Sequence, residues 1–251
     1  MHAQGMTRRA FITLGATALA MGLFGCGKKD DSAVGGAGAM EDSESKPVMG
    51  GWEVSADFPM SALSDEQQAV FDRATEGYVG MDLQPVCVLG TQVVAGTNYA
   101  FLCLGTPVVA EPEAGWYVAV VYEDLKGACE IRSVEQIDVS EPALAEASDE
   151  SETVLGGWAV TPKVTDDSIA INEEAALAFV TGGEGYVGMN LRPLALLATQ
   201  VVAGTNYRIL CVGAPVVPDA ESGLYVVDVY EDLEGKAKYS DVSTFNLLAY
   251  V

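Results

Sequence analysis

The nine residues Thr91–Tyr99, TQVVAGTNY, recur unchanged as Thr199–Tyr207, a period of 199 − 91 = 108. Their flanks recur at the same offset. Gly77-Tyr78-Val79-Gly80-Met81 returns as Gly185-Tyr186-Val187-Gly188-Met189, Tyr122-Glu123-Asp124 as Tyr230-Glu231-Asp232, and Cys103 as Cys211. A repeat this long points to a duplicated domain and not to a short solenoid unit. The spacing divides the chain into a domain at 50–140, an acidic linker at 141–153 and a second domain at 154–251. Each repeat is large enough to hold one hydrophobic core.

Within the repeat, Val-Val-Ala-Gly lies between two apolar, strand-like runs, Val86–Leu89 and Tyr99–Leu104. A glycine closing a short loop between such runs predicts a β-hairpin. Hairpin tips are usually polar because they face water. Here the tip is Val93, Val94 and Ala95, and in the copy Val201, Val202 and Ala203. Apolar residues on a projecting turn mark a binding surface; alternatively, the valines pack beneath the sheet.

Gln92-Val93-Val94-Ala95-Gly96 followed by TNY resembles the first inhibitory hairpin of the cystatin superfamily, and most closely its stefin branch. That family also places a glycine in an extended N-terminal trunk, where this chain has Gly50-Gly51 and Gly156-Gly157. A second hairpin, often tipped Leu-Pro-Gly, is matched by Leu125-Lys126-Gly127 and Leu233-Glu234-Gly235. The resemblance implies an inhibitor of papain-like cysteine proteases. Its contacts would be Gly50, Gly51, Gln92, Val93, Val94, Ala95, Gly96 and Leu125 in the first repeat. In the second they would be Gly156, Gly157, Gln200, Val201, Val202, Ala203, Gly204 and Leu233. The chain departs from the pattern where Lys126 and Glu234 replace the proline, and it lacks the tryptophan and disulfides of secreted cystatins. A non-inhibitory cell-surface binding module using the same hairpins is the alternative.

The first 26 residues read as a signal peptide. Arg8-Arg9 before Phe11 resembles a twin-arginine export signal, and an apolar run to Phe24 follows. That run is shorter than the ~20 residues of a membrane-spanning helix. Leu23-Phe24-Gly25-Cys26 resembles a lipobox, with Cys26 the lipidated first residue of the mature chain. The expected location is the outer face of a bacterial cell membrane. Residues 27–49, rich in Gly, Ala, Ser and acid, are expected to form a flexible tether.

A formal net charge of −23 argues against nucleic acid, whose phosphates require Lys and Arg. It also argues against flat docking on anionic lipid, leaving the lipid on Cys26 as the membrane attachment. The single histidine is His2, so the mature chain has no imidazole for Ser-His-Asp or Cys-His catalysis or for the usual zinc sites. Glu123-Asp124 and Asp149-Glu150 lack the spacing of an acidic metal loop. No phosphate-binding glycine loop occurs in a strand–helix context. The sequence therefore predicts a monomeric binding protein without enzymatic activity, cofactor or metal. After Cys26 come Cys87, Cys103, Cys129 and Cys211, divided three and one between the repeats. That division does not make a disulfide framework. Symmetric pairing of the first hairpin would set Cys87 opposite Cys103; the other reading is small buried hydrophobes.

Each repeat reads as one helix followed by an antiparallel meander, an α+β arrangement. Ser64 with Gln67 three residues on is a capping box, and Val70, Phe71 and Ala74 share a helical face. Asn172 caps the second helix, which carries Leu177, Phe179 and Val180; Gly77 and Gly182-Gly183 end the two helices. Alternation along Tyr117–Tyr122 puts Tyr117, Ala119 and Val121 towards the core and Val118, Val120 and Tyr122 on the opposite face.

Overall fold

A computed structural model describes residues 51–54, 63–140, 157–160 and 171–251. The expected signal peptide with Cys26, the tether, Gly50, Gly156 and the acidic linker lie outside the described residues.

The first repeat contains β1 (Trp52–Glu53), α1 (Asp65–Thr75), β2 (Met81–Val94), β3 (Gly96–Pro107), β4 (Gly115–Glu123) and β5 (Cys129–Gln136). The second contains α2 (Glu173–Gly182), β6 (Met189–Val202), β7 (Gly204–Pro215), β8 (Gly223–Glu231) and β9 (Ala237–Thr244), then a 3-10 turn at Leu247–Ala249. The strands form two antiparallel meanders in chain order, β1–β5 and β6–β9. In the second, a single bridge between Ala159 and Thr199 stands where β1 pairs in the first. These are curled antiparallel sheets with one short helix each, compatible with a cystatin-like α+β fold.

The helices start where the sequence places them. Ser64 Oγ accepts the Gln67 amide at 3.2 Å, and Gln67 Oε1 accepts the Ser64 amide at 3.0 Å. Asn172 Oδ1 accepts the Ala175 amide at 2.8 Å. Val70 and Phe71 are fully covered, and the Phe71 ring meets Phe101 edge-on at 5.1 Å. On α2 the buried residues are Ala175, Ala178 and Phe179, spaced three and four apart on one face. Leu177 and Val180 fall outside that stripe and are exposed. Gly182 lets α2 approach closely, since a Cβ there would meet Val229 Cγ1 at 3.1 Å and the Lys238 carbonyl carbon at 3.2 Å.

Two features depart from simple expectation. The hairpin register is not symmetric over its length. Shifts between Pro85 and Cys87 and between Val88 and Gly90 set Cys87 opposite Leu102 and Cys103 opposite Pro85. The same shifts occur at Pro193/Ala195 and Leu196/Ala198. Proline cannot donate to a ladder, so it is accommodated at such an irregularity. The four described cysteines are free.

The second departure concerns the face of each sheet away from its helix. Alternation along β4 is as expected, but Val118 and Val120 are as buried as Ala119 and Val121. Ala100, Leu102, Leu104, Trp116 and Val118 join Leu197, Leu210, Val212, Leu224 and Val226 of the second repeat in one apolar core. The helix-side residues Phe179, Ile209, Val227 and Val229 form a separate cluster under α2. The sheets are therefore packed back to back, and the layers run helix, sheet, sheet, helix. Trp116 Nε1 donates to the Leu197 carbonyl at 2.8 Å across this interface.

Candidate functional site

The candidate site is the hairpin end of each sheet. Val94 pairs with Gly96, which leaves Ala95 alone at the turn. Gly96 has φ +126°, and a side chain there would run into the Glu123 carbonyl and lie 2.9 Å from Tyr122 Cε2. Glycine is required for both reasons. Gly204 repeats this at φ +124°, with Tyr230 Cε2 at 3.0 Å. The close approach lets Tyr122 Oη donate to the Ala95 carbonyl at 2.5 Å and Tyr230 Oη to the Ala203 carbonyl at 2.6 Å.

The rest of the repeated motif holds the strands behind the tip. Asn98 Nδ2 donates to Gln92 Oε1 at 2.7 Å, as Asn206 does to Gln200. Tyr99 Oη donates to Glu123 Oε2 at 3.2 Å, and Tyr207 Oη to Glu231 Oε2 at 2.9 Å. Burial, followed by the Glu231 carboxylate, pushes the Tyr207 phenol up to about 12, so it remains a donor. In the first repeat Glu123 also receives Arg73 Nη2 at 2.7 Å.

The tip valines do not pack beneath the sheet. Val93, Val94, Ala95 and their copies Val201, Val202 and Ala203 are exposed; of the four valines Val201 is the most open at 74%. The six residues 92–97 and 200–205 carry no charge, in a chain of net charge −23.

The other two predicted elements come to the same end. Trp52 pairs with Gln92, so Gly51 runs beside the tip strand. In the second repeat Ala159 pairs with Thr199 through bonds of 2.8 and 2.9 Å, and Gly157 stands two residues before it. Thr97 pairs with Glu123, and Thr205 with Glu231, which sets the β4–β5 and β8–β9 turns beside the tips. Asp124 Oδ1 accepts the amides of Lys126 and Ala128 at 2.7 and 2.9 Å, and Asp232 Oδ1 those of Glu234 and Lys236 at 2.8 and 3.0 Å. The backbone amide of Lys236, then that of Glu234, holds the Asp232 carboxyl below its ordinary pKa. These turns project Leu125 and Leu233, which are 84% and 85% exposed.

Sequence reasoning gave no role to Tyr122, Glu123 and Asp124 or to Tyr230, Glu231 and Asp232. Their recurrence at the 108-residue offset was the available signal. They pin the tip, anchor the strand tyrosine and shape the second turn. The far end of each repeat also exposes apolar loops: Tyr78, Val79, Val108 and Val109, with copies Tyr186, Val187, Val216 and Val217. No family model matches the chain.

Proposed function

We propose that this protein is an inhibitor of papain-like cysteine proteases, built from two tandem cystatin-like units and tethered outside a bacterial cell through Cys26. One observation carries the reading: in each repeat a glycine-led segment paired to the tip strand, an exposed apolar hairpin tip and an exposed leucine turn share one end of the sheet. This end would enter the groove of the protease as a wedge and deny substrate access to the catalytic thiol. It would offer no scissile bond in register, so the protein performs no chemistry.

The physical support is pre-organisation. The bonds from Tyr122 and Asn98, and those to Asp124, fix both turns before any encounter. Little conformational entropy is then lost on association. A charge-free apolar centre inside an acidic surface matches the core-and-rim pattern of protein interfaces. A typical protease–inhibitor contact buries about 1,600 Å². Lys126 and Glu234, in place of the family's proline, would alter the rim of the contact. The linker joined to Gly156-Gly157 would restrict how deeply the second trunk inserts.

Titration of papain activity with the purified protein tests the proposal. Inhibition at submicromolar protein is the expected result. Val94→Asp combined with Val202→Asp should weaken it at least about 100-fold, near 2.7 kcal/mol, because each carboxylate would be buried unpaired in the groove. Its melting temperature should stay near that of the parent, since the tips are exposed. No inhibition by the parent at micromolar concentration would refute the proposal and leave the non-inhibitory binding module.

A further inference from the structure

The back-to-back packing fixes where the two wedges point. Trp116 stands at the start of β4, opposite Leu104 and, through β3, level with Gln84, far from the first tip. Its indole nitrogen bonds the carbonyl of Leu197, five residues before the second tip at Val202 (202 − 197). Val139 lies three residues beyond Gln136, past the far end of β5. Its carbonyl accepts Arg208 Nη1 at 2.8 Å, and Arg208 is only four residues from Gly204 (208 − 204).

The reciprocal contact is present. Leu247 lies three residues beyond Thr244, at the far end of β9. Its Cδ2 sits where a Cβ on Gly90 would meet it at 3.1 Å, and Gly90 is four residues from Val94 (94 − 90). Val139 and Leu247 are themselves equivalent residues, since 247 − 139 = 108. Each sheet's tip-proximal half is thus covered by the other sheet's tip-distal end. The two hairpin ends face in opposite directions.

From these contacts we infer that the protein is bivalent and holds one papain-like protease at each end of the sandwich, both at the same time. The inference rests on the inhibitor reading for the identity of the partner; the opposed directions rest on the contacts alone. β2 and β6 have 14 residues each, which at ~3.3 Å per residue separates the tips by on the order of 40 Å. A protease of ~200 residues has a radius of gyration of about 16 Å. Two such bodies approaching from opposite ends do not collide. The sites then act independently, with no gain or loss at the second binding event.

Light scattering during gel filtration, with the full chain and papain carrying a blocked catalytic thiol, tests this. The expected complex is two proteases to one inhibitor. Val94→Asp alone and Val202→Asp alone should each give one to one. Calorimetry of the parent should give two sites within about twofold of each other. A one-to-one parent complex, with each single variant still binding one protease, would mean mutually exclusive sites and overturn bivalency alone. A one-to-one complex abolished by only one of the variants would mean a single competent repeat, also overturning bivalency while the inhibitor reading stands. Absence of any complex would overturn both.

Discussion

Arg208 is only 5% exposed, yet it lies in the layer between the two sheets. Its Nε and Nη2 donate to the two Asp228 carboxylate oxygens at 2.8 and 2.7 Å, Nη1 reaches the Val139 carbonyl, and the guanidinium lies 4.2 Å from the Trp158 ring centre. The equivalent residues of the first repeat, 108 positions earlier, are Ala100 and Val120. Removing one partner of a buried pair leaves an uncompensated charge, whereas replacing both with apolar groups is often neutral. Arg208→Ala should therefore lower unfolding stability by about 3 kcal/mol. Arg208→Ala with Asp228→Val, the pair found in the first repeat, should recover most of that loss in urea denaturation; a double variant as unstable as the single would refute this account. Among the described thiols Cys103 and Cys211 are buried and Cys87 is partly buried. Burial pushes Cys87 up to about 12, and Cys103 and Cys211 also upward. Stability from keeping these thiols neutral is full below their unfolded pKa of 9.0 and is lost as pH rises towards 12. The urea midpoint should fall above pH 9, less steeply in Cys103→Ala. An aromatic disulfide reagent at pH 8 should label Cys129 well before the buried Cys103 and Cys211.

At the scale of the element, the hairpin depends on groups that its own sequence does not contain. Tyr122 belongs to β4, and its bond to Ala95 reaches across 27 residues of chain. Tyr122→Phe keeps the ring against Gly96 but removes that bond. The expected loss is about 1 kcal/mol of tip ordering, read as roughly fivefold weaker papain inhibition with an almost unchanged melting temperature. Gly96→Ala combines an unfavourable φ with a clash against the Glu123 carbonyl, so both stability and inhibition should fall. The helix starts were legible because capping is local: Ser64 and Gln67 lie within one turn of each other, and so do Asn172 and Ala175. The register shifts around Pro85 were not legible. They depend on how a strand without one donor curls against its neighbour, which apolar alternation does not encode. Leu177 and Val180 were hard to place for a related reason, since α2 is apolar on several sides and only packing selects the face that is buried.

For the whole molecule, the outer face of each sheet is the inner face of the sandwich. Ala100, Leu102, Leu104, Trp116 and Val118 would be exposed if the first repeat stood alone. At about 1.5–3 kcal/mol for each large side chain, the loss is on the order of 10 kcal/mol, comparable to the stability of a whole domain. A fragment covering only residues 50–140 should therefore unfold, aggregate or pair with itself, whereas the full chain should melt in one transition. Two separate calorimetric transitions, or a stable monomeric fragment, would contradict this.

The sequence by itself determined the duplication, the helix caps, the hairpin at TQVVAGTNY and the presence of glycine where the tip needs a positive φ. These are local matters, settled by spacing, by donors and acceptors a few residues apart and by the absence of a side chain. The resemblance implies that the trunk, the tip and the leucine turn share one end, but the tertiary structure brings them there, because strand register is set by pairing between distant segments. Tertiary structure alone decided that the repeats meet back to back. An alternating strand announces two faces, but which faces are covered depends on a partner sheet about 100 residues away. Ala100 and Arg208 hold equivalent places in that layer, and only the neighbouring Asp228, Val139 and Trp158 explain why a charged side chain can be buried there.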